Sequence, residues 1–325
     1  VEAARKLDGQ TLGEAVERYL STVACVKRKD IQDAVEEFIR TDEPRTKAKT
    51  GLRAQICPKY AYNRSIHLRR FAATFSNSDV CDLAKEHLDI FIESLGELTP
   101  KTRNHFRTEI RQFLSWCMRK DYLPLTHRLK EADLLRPEHA NTAQVQLYAP
   151  NEFRALLEGA ELPMQAMIAI GGLAGLRTSE MLRLDWEDVW RVPGHIEITS
   201  GKAKTRQRRL VEIAPALSAW LQPFRGCTQG KPWTHTERTF QEHFRDLCER
   251  VRVERKPNGL RHSFCSFHFA LHSNEGLTSA QAGNSPSMIH AHYKGLATRE
   301  EAERWFAVTP ASEANVVPMP VSEAQ

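Results

Sequence analysis

No stretch of the chain approaches the roughly 18 consecutive apolar residues that a membrane helix needs, so no membrane span is expected. The opening, VEAARKLDGQ at 1–10, is mostly polar and does not read as a secretory signal; it is taken as an N-terminal extension. No CxxC pair occurs among the seven cysteines, Cys25, Cys57, Cys81, Cys117, Cys227, Cys248 and Cys265. Their wide spacing and odd number argue against a structural zinc site, and they read as reduced thiols of a cytosolic protein. Internal repeats and low-complexity tracts are lacking. Neither charge dominates: 46 Lys and Arg face 41 Asp and Glu, a net charge of +5. That balance alone says little about nucleic acid, and where the charge clusters matters more.

What is present is a globular chain of 325 residues, 41 % hydrophobic, long enough for two domains. Residues 11–125 read as mostly helical. Leu12, Val16 and Tyr19 to Leu20 repeat at helical spacing, as do Val35, Phe38 and Ile39. A polar loop covers 41–58, and further helices are expected over 59–75 and 84–95. Thr99-Pro100 is the clearest helix start, since Thr caps and Pro suits the first helical position. The helix that follows buries Phe106, Ile110, Phe113, Leu114 and Cys117 and turns Lys101, Arg103, Arg107, Arg111 and Arg119 to its other face. That face is either solvated or set against DNA. Residues 126–148 have weak periodicity and read as a linker to a second domain over 149–309. Residues 310–325, rich in proline and small polar side chains, read as a disordered tail.

Four segments of the second domain carry the chemistry. In GGLAGLRTSEMLRLDWEDV, 171–189, Arg177 sits among apolar residues. A buried Arg needs an anion, which is either Glu180 three residues on or a phosphate. In HIEITSGKAKTRQRRLVEI, 195–213, alternation predicts a β-hairpin around a Gly-Lys turn. Its tip is basic: Lys202, Lys204, Arg206, Arg208 and Arg209. A tip of this kind suits a phosphate backbone or a groove, or is a solvated turn. In KPNGLRHSFCSFHFAL, 256–271, Pro257-Asn258-Gly259 marks a helix start, and Leu260, Phe264, Phe267 and Leu271 form its buried stripe. Asn258 and Arg261 lie together on a face away from it. In AGNSPSMIHAHYKGL, 282–296, Ser287 is read as the cap of a short helix bearing His290 and Tyr293.

In this order, GLRTSE, GKAKTR, NGLRHSF and AGNSPSMIHAHY resemble the catalytic domain of the tyrosine recombinase (phage integrase) family. The helical first domain, with LTPKTRNH ahead of its basic helix, is similar to the family's core-binding domain. The resemblance implies a mainly α fold with a small β-hairpin. It also implies a site-specific recombinase that cleaves and rejoins double-stranded DNA through a 3′-phosphotyrosine. Tyr293 would be the nucleophile. Arg177 and Arg261 would neutralise the charge that gathers on the phosphorus oxygens. Lys204, or alternatively Lys202, would protonate the leaving 5′-oxygen, with Glu180 and His262 in support. Lys101, Arg103, Arg107, Arg111, Lys202, Arg206 and Arg208 are the candidate DNA contacts.

The sequence departs from the pattern twice. Asn258 stands where the family has His, and Asn284 where it has His or Trp. Asn can donate to a phosphate oxygen but cannot serve as a base near neutral pH. His290, one turn before Tyr293, is a candidate substitute, or simply a surface His. The resemblance implies no metal and no cofactor, an assembly of four copies on two duplexes, and a cytoplasmic, nucleoid-associated protein. The alternative is a DNA-binding protein on the same fold with weakened or lost cleavage. A third reading is a topoisomerase-like enzyme that nicks and reseals one strand. The segment EEAERWF, 300–306, either docks on a neighbouring subunit or packs Trp305 and Phe306 on its own domain.

Overall fold

The computed structural model describes residues 11–22, 26–43, 56–124, 127, 129, 135–139, 144–199, 201 and 208–311, the side chains of 18–22 apart. The chain divides into two units, 1–142 and 143–325. Among the described residues no helix is long and apolar enough to cross a membrane.

The first unit is helical: α1 (Leu12–Thr22), α2 (Ile31–Arg40), α3 (Pro58–Thr74), α4 (Lys85–Glu93) and α5 (Pro100–Arg119). Local chemistry sets the starts. The Asp30 carboxylate accepts from the backbone of Gln32 at 2.8 Å and of Asp33 at 3.2 Å, capping α2. Thr99 caps α5 by accepting from the Thr102 amide, with Pro100 at the first position. Ile31, Phe38, Leu68, Phe71, Leu88, Phe91, Ile110 and Phe113 close one core, where Phe71 meets Phe91 edge-on at 5.1 Å. Each such side chain contributes about 1.5–3 kcal/mol by leaving water. Helix α1 forms where its pattern predicts, but Leu12 and Val16 remain exposed.

Two expectations change here. The stretch 126–148 is not simply a linker: Leu129 and Leu135 are buried in the first core and Tyr148 in the second. Isolated apolar residues in a polar segment leave no periodicity to read. The basic face of α5 is also smaller than its helical spacing suggests. Arg103 and Arg107 both pair with Glu138, and Arg107 is buried. Hydrogen bonding from Arg103 leads the effects that hold the Glu138 carboxyl at about 2. Lys101, Arg111 and Arg119 are exposed.

The second unit wraps helices around α7 (Leu162–Leu173), in which Met164 and every residue from 166 to 173 are buried. Around it stand α6 (Pro150–Gly159), α8 (Thr178–Met181), α10 (Pro215–Leu221) and α12 (Gly259–His272). Gly172 is where Phe153 closes in: a Cβ there would lie 2.4 Å from Phe153 Cε2. The short α9 (Trp186–Trp190) leads into β1 (His195–Ile198), which pairs antiparallel with β2 (Arg209–Glu212), Ile196 opposite Val211. This is the expected hairpin, and Ile196, Ile198 and Val211 are its buried side. The chain continues through α11 (Glu237–Arg250), α13 (Glu275–Ala282), α14 (Pro286–Tyr293) and α15 (Arg299–Phe306). The cap of α14 is Ser285, which accepts from Met288, rather than Ser287; Pro286 then takes the first position. The EEAERWF segment packs on its own unit: Trp305 stacks on Phe153 at 4.1 Å and on Phe267 at 4.8 Å, and donates to Gly172 O at 2.9 Å.

Candidate active site

Four short segments meet at one place in the second unit. The first leaves α7 through Gly175. Its positive φ of 66° and the close approach of Phe264, 2.1 Å from a Cβ built there, both require glycine. The turn sends Leu176 into the core and Arg177 to the start of α8. Glu180, one helical turn on and fully buried, accepts from the Arg177 amide at 3.1 Å and from its guanidinium at 2.9 Å. The intrachain partner weighed for Arg177 is therefore real, but it uses one edge of the guanidinium only. Arg177 Nη2 donates to Gly283 O at 2.6 Å and to Asn284 Oδ1 at 2.8 Å.

The second segment is the start of α12. Arg261 donates to Gly175 O and, through Nη2, to Asn284 Oδ1 at 2.8 Å. The third is the corner after α13, where Gly283 takes the left-handed conformation and presents Asn284. The Asn284 amide oxygen thus accepts from both guanidinium groups. Two cations converge on one oxygen, an arrangement suited to a non-bridging phosphate oxygen. Burial, with Arg177 nearby, lowers the Arg261 guanidinium from its ordinary value, yet it remains a cation at any physiological pH.

The fourth segment is α14, which ends on Tyr293. The ring is buried with Phe264, Cys265, Ala282 and Ile289. Its hydroxyl lies 3.0 Å from His262 Nδ1. Burial, with the Cys265 thiol beside it, pushes the phenol up to about 12. Burial also lowers His262 below its usual 6.5, and the charges of Arg261 and His292 act in the same direction. A neutral imidazole therefore faces a phenol that keeps its proton.

The structure brings together Arg177, Arg261, Asn284, Glu180, His262 and Tyr293. Asn258 is exposed, in the left-handed conformation at the cap of α12, and makes no side-chain cap bond. His290 is exposed and bound to Glu275 at 2.7 Å. Arg208, a candidate DNA contact, pairs with Glu197 at 2.6 Å while its side chain remains 63 % exposed. Lys202, Lys204 and Arg206 lie outside the described residues.

One residue escaped the reading of the sequence. Arg209, counted there only as part of a basic tip, packs half-buried against Glu180, 2.7 Å from Oε2 and 3.3 Å from Oε1. Burial raises the Glu180 carboxyl, but Arg209 and then Arg177 outweigh it and hold the group at about 2. Strand parity was the available signal, because Arg209 shares a face with Val211, which is fully buried.

No family model matches the sequence, and no curated protein matches it. Among solved structures it is similar to lambda integrase in a dimer bound to a COC′ core site, with TM-score 0.69 and 11 % identity over 90 % of this chain and 85 % of that one. Lambda integrase as a tetramer bound to a Holliday junction gives TM-score 0.65 and 11 % identity over 86 % and 81 %. XerH site-specific recombinase, in a post-cleavage complex with a palindromic difH substrate, gives 0.62 and 16 % over 83 % and 95 %. These neighbours are tyrosine recombinases. Mainly helical, with a small antiparallel hairpin among the described residues, the chain has the fold of the tyrosine recombinases.

Proposed function

We propose that this protein is a site-specific DNA recombinase or integrase that works through a 3′-phosphotyrosine. The observation that carries the reading is the convergence of Arg177 and Arg261 on a single oxygen, with the hydrogen-bonded Tyr293–His262 pair in the same site. A scissile phosphate takes the place of the Asn284 oxygen, and its non-bridging oxygens receive the two guanidinium groups. His262 Nδ1 accepts the phenolic proton as Tyr293 Oη attacks phosphorus. The bond to the 5′-oxygen breaks, and Lys204 returns a proton to that oxygen. The reverse step, with a 5′-hydroxyl from a second duplex as nucleophile, releases the tyrosine and completes exchange. His262 is thereby promoted from a supporting residue to the proton acceptor, the role that Asn258 cannot fill.

Double-stranded DNA is the proposed partner, met by Lys101 and Arg111 in the first unit and by the hairpin tip with Lys202 and Arg206. Arg103 and Arg107 are withdrawn from that role by their pairing with Glu138. Lambda integrase occurs as a tetramer on a Holliday junction, and the same assembly of four copies is proposed here. The test is a nicked suicide duplex built from DNA flanking the gene. The wild type is expected to form a covalent adduct on a denaturing gel. Tyr293→Phe is expected to bind the duplex and form none. Binding without any wild-type adduct would favour a DNA-binding protein that has lost cleavage.

A further inference from the structure

We propose that Arg209 is a positioning residue for strand cleavage, acting through Glu180 to hold Arg177 in place; this rests on the recombinase reading above. Arg209 begins β2 and lies with its side chain only 11 % exposed. Its guanidinium spans both oxygens of Glu180, and its Nε donates to Gln281 O at 3.2 Å. Glu180 in turn binds the backbone and side chain of Arg177. One buried carboxylate is thus held between two arginines, one facing the proposed phosphate site and one behind it.

Further contacts tie Arg209 and its strand to the rest of the site. Gly283 packs directly on the guanidinium: a Cβ there would lie 2.8 Å from Arg209 Cζ and 2.9 Å from Nη1. The carbonyl of the same glycine receives Arg177, and the next residue is Asn284. The Gln281 side chain accepts from the Glu212 amide of β2 at 3.0 Å. Arg209 therefore joins β2 to the corner that presents Asn284. Removing it leaves Glu180 buried with a single cationic partner. The loss of its largest lowering influence lets burial raise the carboxyl, and a protonated Glu180 no longer anchors Arg177 as an anion.

The experiment compares wild type, Arg209→Gln, Arg209→Lys and Glu180→Gln, each with the double variant Arg209→Gln/Glu180→Gln. Single-turnover adduct formation on the nicked duplex is followed against pH, and the Glu180 carboxyl is titrated by carbon-13 NMR. Arg209→Gln is expected to bind the duplex normally and cleave about 10²-fold more slowly, as misplacement of a reacting group does. Its rate should fall as pH drops through a raised Glu180 titration that the wild type lacks. Arg209→Lys, which keeps the charge, should restore the wild-type pH profile while remaining slower. The double variant should be no slower than Glu180→Gln alone. A wild-type adduct together with an unchanged rate and profile in Arg209→Gln overturns the positioning role. So does a double variant in which the two defects simply multiply. If the wild type forms no adduct, the recombinase reading itself has failed.

Discussion

His262 Nδ1 and the Tyr293 hydroxyl stand 3.0 Å apart, with the imidazole lowered and the phenol raised from their ordinary proton affinities. In the recombinase reading proposed above, the imidazole would take the phenolic proton as Tyr293 attacks. His262→Ala is expected to slow cleavage near neutral pH by about 10²–10⁴-fold while duplex binding persists. The sign of the pH dependence follows from the direction of the imidazole shift. The acceptor is bare above its lowered value and lost as pH falls through it, so wild-type cleavage should decline on the acid side of the usual 6.5. A pH series of single-turnover rates checks this; persistence of the same acid limb in His262→Ala would assign the acceptor elsewhere.

Asn284→Asp places a carboxylate where the amide oxygen bridges Arg177 and Arg261. The fold is expected to gain about 1–3 kcal/mol, the size of a one- to two-unit carboxylate shift. Two adjacent cations depress the folded-state pKa. The gain is therefore full above the unfolded Asp value of about 3.9 and lost as pH falls through the folded one. Cleavage should nearly vanish, because the carboxylate competes with phosphate for both arginines. Denaturant melts at two pH values, with adduct assays beside them, measure both effects, and a variant that cleaves normally removes Asn284 from the phosphate seat.

Arg177→Lys and Arg261→Lys keep the charge and lose the fork. Arg177 serves Glu180, Gly283 and Asn284 at once, which three contacts from one ammonium cannot match in geometry. Each Lys variant is expected to lose about 10²-fold or more in cleavage rate. Near-normal cleavage by either one would make that arginine a structural residue.

Lys204→Ala should slow cleavage of an ordinary phosphate far more than that of a substrate with sulfur at the 5′-bridging position, since a thiolate leaves with little need of a proton. Equal defects on the two substrates remove the general-acid role. Selective rescue of Lys202→Ala instead moves the role to Lys202.

Trp305→Ala removes a ring stacked between Phe153 and Phe267 together with its bond to Gly172. A loss of about 3–5 kcal/mol is expected for the second unit. Its denaturant transition reads that loss, and a change below about 0.5 kcal/mol, the level of a neutral surface substitution, would mean that α15 does not anchor the unit.

The parts of the site that were legible in the sequence are those written in short local patterns. GLRTSE places Arg177 and Glu180 one helical turn apart, so their contact follows from spacing. NGLRHSF places Arg261 and His262 at the start of a helix. What stayed hidden depends on partners far along the chain. Arg103 and Arg107 look free on α5 because Glu138 lies more than thirty residues on and only the fold returns it. Arg209 looks like one more solvated cation until β2 turns it onto Glu180. Asn258 has the family spacing to Arg261 but is an exposed left-handed cap, a backbone state the residue type allows without announcing it.

Gly283 sets a limit on how this corner can change. Any other residue there meets a left-handed backbone that costs about 1–2 kcal/mol, and its Cβ runs into the Arg209 guanidinium. Arg209 cannot yield without releasing Glu180, and Glu180 cannot be released without freeing Arg177. The three positions therefore cannot drift independently. A change at any one of them is felt at the other two, and the corner responds to substitution as a unit rather than residue by residue.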